Sequence, residues 1–71
     1  MDLTQVTLGK EYIISRMETG DEELDAFLFS LGCYTGEAIT VISRMKSSCV
    51  VAIKDGRYNI DAQLAKAIFV A

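Results

Sequence analysis

Leu24-Asp25-Ala26-Phe27-Leu28-Phe29-Ser30-Leu31-Gly32-Cys33-Tyr34-Thr35-Gly36-Glu37 reads as a helix that packs, stops, turns and becomes a strand. Leu24, Phe27, Leu28 and Leu31 recur at spacings of three and four, the mark of one helical face, and are expected to point inward. Gly32 follows directly, where a helix end calls for a residue that accepts a left-handed backbone, so it is expected at the C′ position with positive φ. Gly36 then introduces Glu37 to Ser43, rich in the branched residues that suit a pleated sheet. Phe29 falls roughly 100° or more from the centre of the inward stripe and is expected to be at least partly exposed.

Upstream, Leu3, Val6 and Leu8 precede a turn at Gly9, after which Glu11 to Met17 reads as a first strand. Thr19 and Glu22 fit a capping box, and Asp21, Glu22 and Glu23 place negative charge at the positive end of the helix dipole. That accounts for the acidic cluster without a divalent metal, which would need carboxylates converging from several directions. Downstream, strands are expected over Ile39 to Arg44 and Cys49 to Lys54, with Met45 to Ser48 as a polar connection. Asp55-Gly56 predicts a type I′ hairpin turn with positive φ at both central residues. Arg57 to Ile60 returns as a strand, Asp61 caps a helical turn over Ala62 to Ala65, and Ala67 to Val70 closes as a last short strand. Ile68 and Val70 share one face of it, which puts Phe69 on the other. Five short strands with one helix inserted after the first describe a mainly β fold, a small and strongly bent barrel.

With 71 residues, the chain is expected to form one domain that buries only about 60% of its unfolded surface. Seven basic against ten acidic residues give a net charge of −3, which argues against nucleic acid or anionic lipid as the main partner and suits a basic protein surface. No segment has the roughly 20 apolar residues of a membrane span, and Met1 to Gln5 lacks the basic and apolar regions of a signal peptide, so a cytoplasmic location without membrane insertion is expected. With no histidine, hydrolase triads and histidine-based zinc sites are excluded. Cys33 and Cys49 are too far apart for a Cys-x-x-Cys motif and read as small core residues, with a shared thiolate metal site as the weak alternative. Gly32 and Gly36 follow a helix rather than open one, so they read as turn residues and not as a phosphate loop. Tyr12, Tyr34 and Tyr58 stand in unrelated local settings and read as packing and surface residues rather than an aromatic peptide groove.

The order of parts, with Leu-x-x-Phe-Leu-x-x-Leu-Gly ending at Gly32, a second glycine at Gly36, two strands, a hairpin through Gly56, and Ile60, Leu64, Ala65, Ile68 and Val70 at the end, resembles the ferrous iron transport protein A (FeoA) family over nearly the whole chain. The resemblance implies a single FeoA-like domain over residues 1–71 with an SH3-like barrel and no enzymatic activity. It also implies a role as a cytosolic accessory to the GTPase-linked ferrous iron permease. The alternative is a free-standing transition-metal-sensing domain akin to the C-terminal domain of metal-dependent repressors. Two departures stand out: Thr35 occupies the place where the family commonly has proline, and the helix is acidic where the family's is commonly basic. No resident cofactor is expected, and Fe²⁺ or another divalent transition metal should bind weakly if at all. Phe29 and Phe69 are the expected contact residues, for docking on the permease's cytosolic part or for self-association.

Overall fold

Alternating apolar residues build this fold from one side of every strand. A computed structural model describes residues 1–71, in the order β1 (Glu11–Met17), α1 (Glu22–Ser30), β2 (Ala38–Arg44), β3 (Ser48–Ile53), β4 (Gly56–Asp61), α2 (Ala62–Lys66) and β5 (Ile68–Val70). Tyr12 and Ile14 of β1, Ile39 and Val41 of β2, Cys49, Val51 and Ile53 of β3, Ile60 of β4, and Ile68 and Val70 of β5 are all buried in one core. Their neighbours along each strand face outward, as a period of two requires. Leu3 and Val6 of the N-terminal segment, Leu28 of α1 and Ala65 of α2 complete the cluster, and no polar or charged side chain is buried with it.

The strands form a five-stranded antiparallel sheet in the order β4-β3-β2-β1-β5. The ladder is open: β4 and β5 stand at its two ends, and α2 carries the chain from one to the other. Two register shifts bend it, one between Val41 and Ser43 against β3 and one between Ile14 and Arg16 against β5. Bulges of this kind kink and twist a strand, and here they leave Ile42 and Ser15 as the extra residues. Arg44 ties the N-terminal segment down, its guanidinium donating to the carbonyls of Leu3 and Val6 at 3.1 Å each.

Three sequence expectations need correction. The N-cap of α1 is Asp21, not Thr19: the Asp21 carboxylate accepts from the backbone N–H groups of Glu23 and Leu24 at 2.9 and 3.3 Å. Thr19 acts two residues outside the cap, accepting from the Asp21 N–H and donating to the Asp25 carboxylate. In the β3–β4 hairpin Ile53 pairs with Gly56, so the two-residue loop is Lys54-Asp55 and positive φ falls on Lys54 at 52°. At Gly56 a Cβ would meet the end of the Tyr58 ring, which would have to swing aside. The third correction concerns α1. Of the four residues expected to point inward, only Leu28 is buried; Leu24 and Phe27 are 38% and 51% exposed, and Leu31 is intermediate.

Candidate functional site

The exposed side of α1 is the most unusual surface of this protein. Apart from Leu28 every residue of the helix is exposed, and Phe29 is 64% exposed. The surface is polarised along the helix. Its first turn carries Glu22, Glu23 and Asp25, its last turn has no basic residue, and the apolar Phe27 and Phe29 lie toward the C-terminal end. Glu22 and Glu23 enter no ion pair, since the two ion pairs of the chain are Arg16–Glu18 and Lys54–Glu37.

What holds this helix end in place is its stop signal. Gly32 has φ +90°, its N–H donates to the Phe29 carbonyl at 2.9 Å, and the Cys33 N–H reaches back to the Leu28 carbonyl at 2.9 Å. These two bonds form a Schellman motif, and its usual apolar contact is supplied by the buried pair Leu28 and Cys33. The turn that follows also places Tyr34 beneath Phe29, ring centroids 4.8 Å apart and tilted by 32°. Gly36, with φ +94°, donates to the Ile14 carbonyl at 2.8 Å and so hands the chain to the sheet.

Phe29, Leu31, Tyr34, Ile53, Lys54 and Tyr58 line an open cleft of about 550 Å³ between the end of α1 and the β3–β4 hairpin. Tyr34 and Tyr58 therefore share a surface, contrary to the expectation that the three tyrosines are unrelated. Tyr12 is the separate one, buried, with its hydroxyl accepting from the Thr7 N–H at 3.1 Å. Nothing in the spacing of Tyr34 and Tyr58 signals their meeting, because the hairpin that joins them is a tertiary feature. Lys54 crosses the cleft, its ammonium 5.6 Å from the Tyr34 ring centroid and 3.3 Å from the Glu37 carboxylate. Hydrogen bonding to Tyr34, then to Glu37, raises its pKa.

Phe69 has different neighbours. It is half-buried on the side of β5 away from Ile68 and Val70, and the Arg16 guanidinium lies 4.1 Å from its ring centroid. Such a stack covers part of the ring that a partner would otherwise meet.

Both cysteines lie in the core, free and unbridged. Burial pushes the Cys33 thiol from its ordinary 9.0 up to about 11 and pushes Cys49 upward too, with the Arg44 charge opposing it. No three cysteine, aspartate or glutamate side chains come together in an arrangement that could hold a metal ion. The raised Cys33 pKa has a consequence for stability. In the unfolded chain the thiol loses its proton near 9.0, whereas in the fold it keeps it until about 11, so between these values the unfolded state binds fewer protons and stability falls as pH rises. Denaturation midpoints followed across that window in reducing buffer should decline less steeply for Cys33→Ala than for the parent; equal slopes would refute the assignment.

A family model for the FeoA domain matches residues 1–71. No curated protein matches the chain. Among solved structures, an iron uptake regulatory protein (FeoA) superposes with a TM-score of 0.87 at 21% identity, covering 99% of this chain and 93% of that one. The FeoA of Stenotrophomonas maltophilia complexed with zinc, described as a procaryotic SH3 domain protein, gives 0.86 at 17% identity over 100% of this chain and 89% of that one. A manganese-dependent transcriptional repressor gives 0.88 at 21% identity over 99% of this chain, which spans 40% of the repressor. At these identities the likenesses establish a shared fold.

Proposed function

This chain belongs to the FeoA domain family, and from that premise we propose that it is a cytoplasmic, non-enzymatic accessory of ferrous iron uptake that docks on the cytosolic part of the GTPase-linked iron permease. The bent, open sheet is read as the SH3-like barrel of such a module. The observation that carries the reading is α1, a helix joined to the core by Leu28 and presenting Phe27 and Phe29 to solvent. Aromatic side chains concentrate binding energy at protein interfaces, and Phe29, 64% exposed and stacked on Tyr34, stands over the cleft it shares with Tyr58. The acidic first turn beside them fits a partner surface carrying lysine and arginine.

A metal-sensing role is the second reading, since the fold is shared with a manganese-dependent repressor. It is disfavoured here, because the two thiols are buried and no set of donors converges. Self-association through α1 is disfavoured as well, since each copy would bring Glu22, Glu23 and Asp25 with no basic residue on the helix to meet them.

The test is titration of the protein with the permease's cytosolic part by calorimetry. Phe29→Ser should keep the thermal midpoint within a few degrees of the parent and weaken the complex by about 1 to 3 kcal/mol, the scale of an interface anchor. Phe69→Ser tests the second contact candidate in the same way, and its loss should be the smaller because Arg16 already covers that ring. Absence of any complex with the parent protein overturns the reading.

A further inference from the structure

A cavity on the opposite theme, basic in an acidic protein, is left unused by the docking surface. Arg44 at the end of β2, Lys46 in the β2–β3 connection and Lys66 at the end of α2 line one cavity of about 250 Å³, together with Thr4, Ser48 and Cys49. No aspartate or glutamate lines it. These are three of the seven basic residues of a chain whose net charge is −3. None of the three belongs to either ion pair of the chain.

The cavity is built rather than incidental in two respects. Arg44 is held in place, because its guanidinium donates to the Leu3 and Val6 carbonyls at 3.1 Å each, which fixes the plane of the group while leaving other N–H donors free. The floor is apolar and closed by buried side chains, with Cys49 only 3% exposed. A cation against a low-dielectric floor acts on a ligand more strongly than one surrounded by water. Ser48 adds a hydroxyl that enters no other side-chain hydrogen bond, whereas the Thr4 hydroxyl already donates to the Asp2 carboxylate.

We propose that this cavity is a binding site for a small tetrahedral oxyanion, a phosphoryl group in particular, held by the Arg44, Lys46 and Lys66 cations with the Ser48 hydroxyl as a neutral donor. Guanidinium and ammonium groups on one cavity with no carboxylate in its lining are the chemistry that recognises phosphate. The size agrees, since the volume lies below the roughly 300 to 1,000 Å³ of sites that take drug-sized ligands. The buried Cys49 thiol, kept protonated by burial, contributes shape and no charge.

The site is independent of the permease reading and is tested without it. Inorganic phosphate is titrated into the protein at constant ionic strength, with sodium chloride as the balance, and amide shifts are followed by NMR. Saturable shifts confined to Thr4, Lys46, Ser48 and Lys66 are expected. Lys46→Gln with Lys66→Gln should weaken binding by about tenfold or more, the loss that follows removal of a charge-assisted hydrogen bond, while the exposed positions of both residues leave the fold unchanged. Asp2→Asn should tighten binding by removing the nearby negative charge. Phenyl phosphate is the second probe: binding equal to that of inorganic phosphate assigns a terminal phosphoryl group on a larger molecule, and binding of inorganic phosphate alone assigns the free ion. Shifts spread evenly over all lysines, shifts reproduced by sodium chloride, or equal affinity in the double variant would overturn the proposal.

Discussion

Leu28→Ala is expected to lower the free energy of unfolding by about 2 to 5 kcal/mol, the range for removing a fully buried leucine, and to loosen α1 from the sheet. Leu28 is 0% exposed and is the one residue of α1 in the core. Its carbonyl also accepts the Cys33 N–H that closes the helix, so the side chain and the cap are anchored at the same residue. A cavity at this point is costly because the sheet behind it cannot collapse: Ile14, Val41 and Val51, each at most 1% exposed, are already packed in the same cluster. A helix of nine residues has little stability of its own in water. Loss of its anchor should therefore show in two measurements, a lower denaturant midpoint and faster hydrogen exchange of the α1 amides than of the β2–β3 amides. A parent-like midpoint together with unchanged exchange in α1 would mean that other contacts hold the helix.

Most of the scaffold is legible in the sequence, and the reasons are local. Alternation places β1 at Glu11 to Met17, where the structure has it, and Asp61 caps α2 as its position before Ala62 suggests, accepting from the Leu64 N–H at 2.7 Å. Gly32 stops α1 with positive φ because only the backbone at that position decides it. Burial of α1 is not legible, because a three-and-four spacing says which residues share a face and is silent on how much surface stands opposite. Here the sheet offers room for one leucine. Leu24 and Phe27, which spacing places beside Leu28, stay 38% and 51% exposed. The bulges at Ser15 and Ile42 are invisible for a similar reason, since each depends on the register of a partner strand.

The same misfit gives the site. A helix that buried its whole apolar stripe would leave Phe29 as an isolated ring, and isolated exposed rings are ordinary. As it is, Phe29 lines the cleft with Tyr34 and Tyr58, and Phe27 stays exposed on the same short helix. The proposed docking on α1 accords with its slight anchoring, for surfaces that engage partners are drawn from the weakly held parts of a fold. The acidic first turn gives that surface a sign as well as a shape, whereas the cavity of Arg44, Lys46 and Lys66 carries only basic charges.

Gly32→Val should cost upward of about 2 kcal/mol, combining the strain of a branched residue at positive φ with crowding. The φ of +90° lies in the region that branched side chains avoid, and the cap cannot relax out of it without breaking the Gly32 and Cys33 hydrogen bonds to Phe29 and Leu28. Space is short as well as angle: a Cβ would sit 3.1 Å from Cδ and Cε of Lys54 and 3.4 Å from Cγ2 of Ile53. The lysine stem can swing aside, at the expense of its contact with Glu37, while Ile53 is 2% exposed and fixed in the core. A series of substitutions separates the two causes. Asparagine tolerates left-handed backbone best, so Gly32→Asn should lose least where strain dominates, with alanine between and valine worst. Where crowding dominates, alanine should lose less than the larger asparagine. Denaturant midpoints decide between these orders, and a valine variant with the parent's midpoint would remove Gly32 from the architecture of the cap.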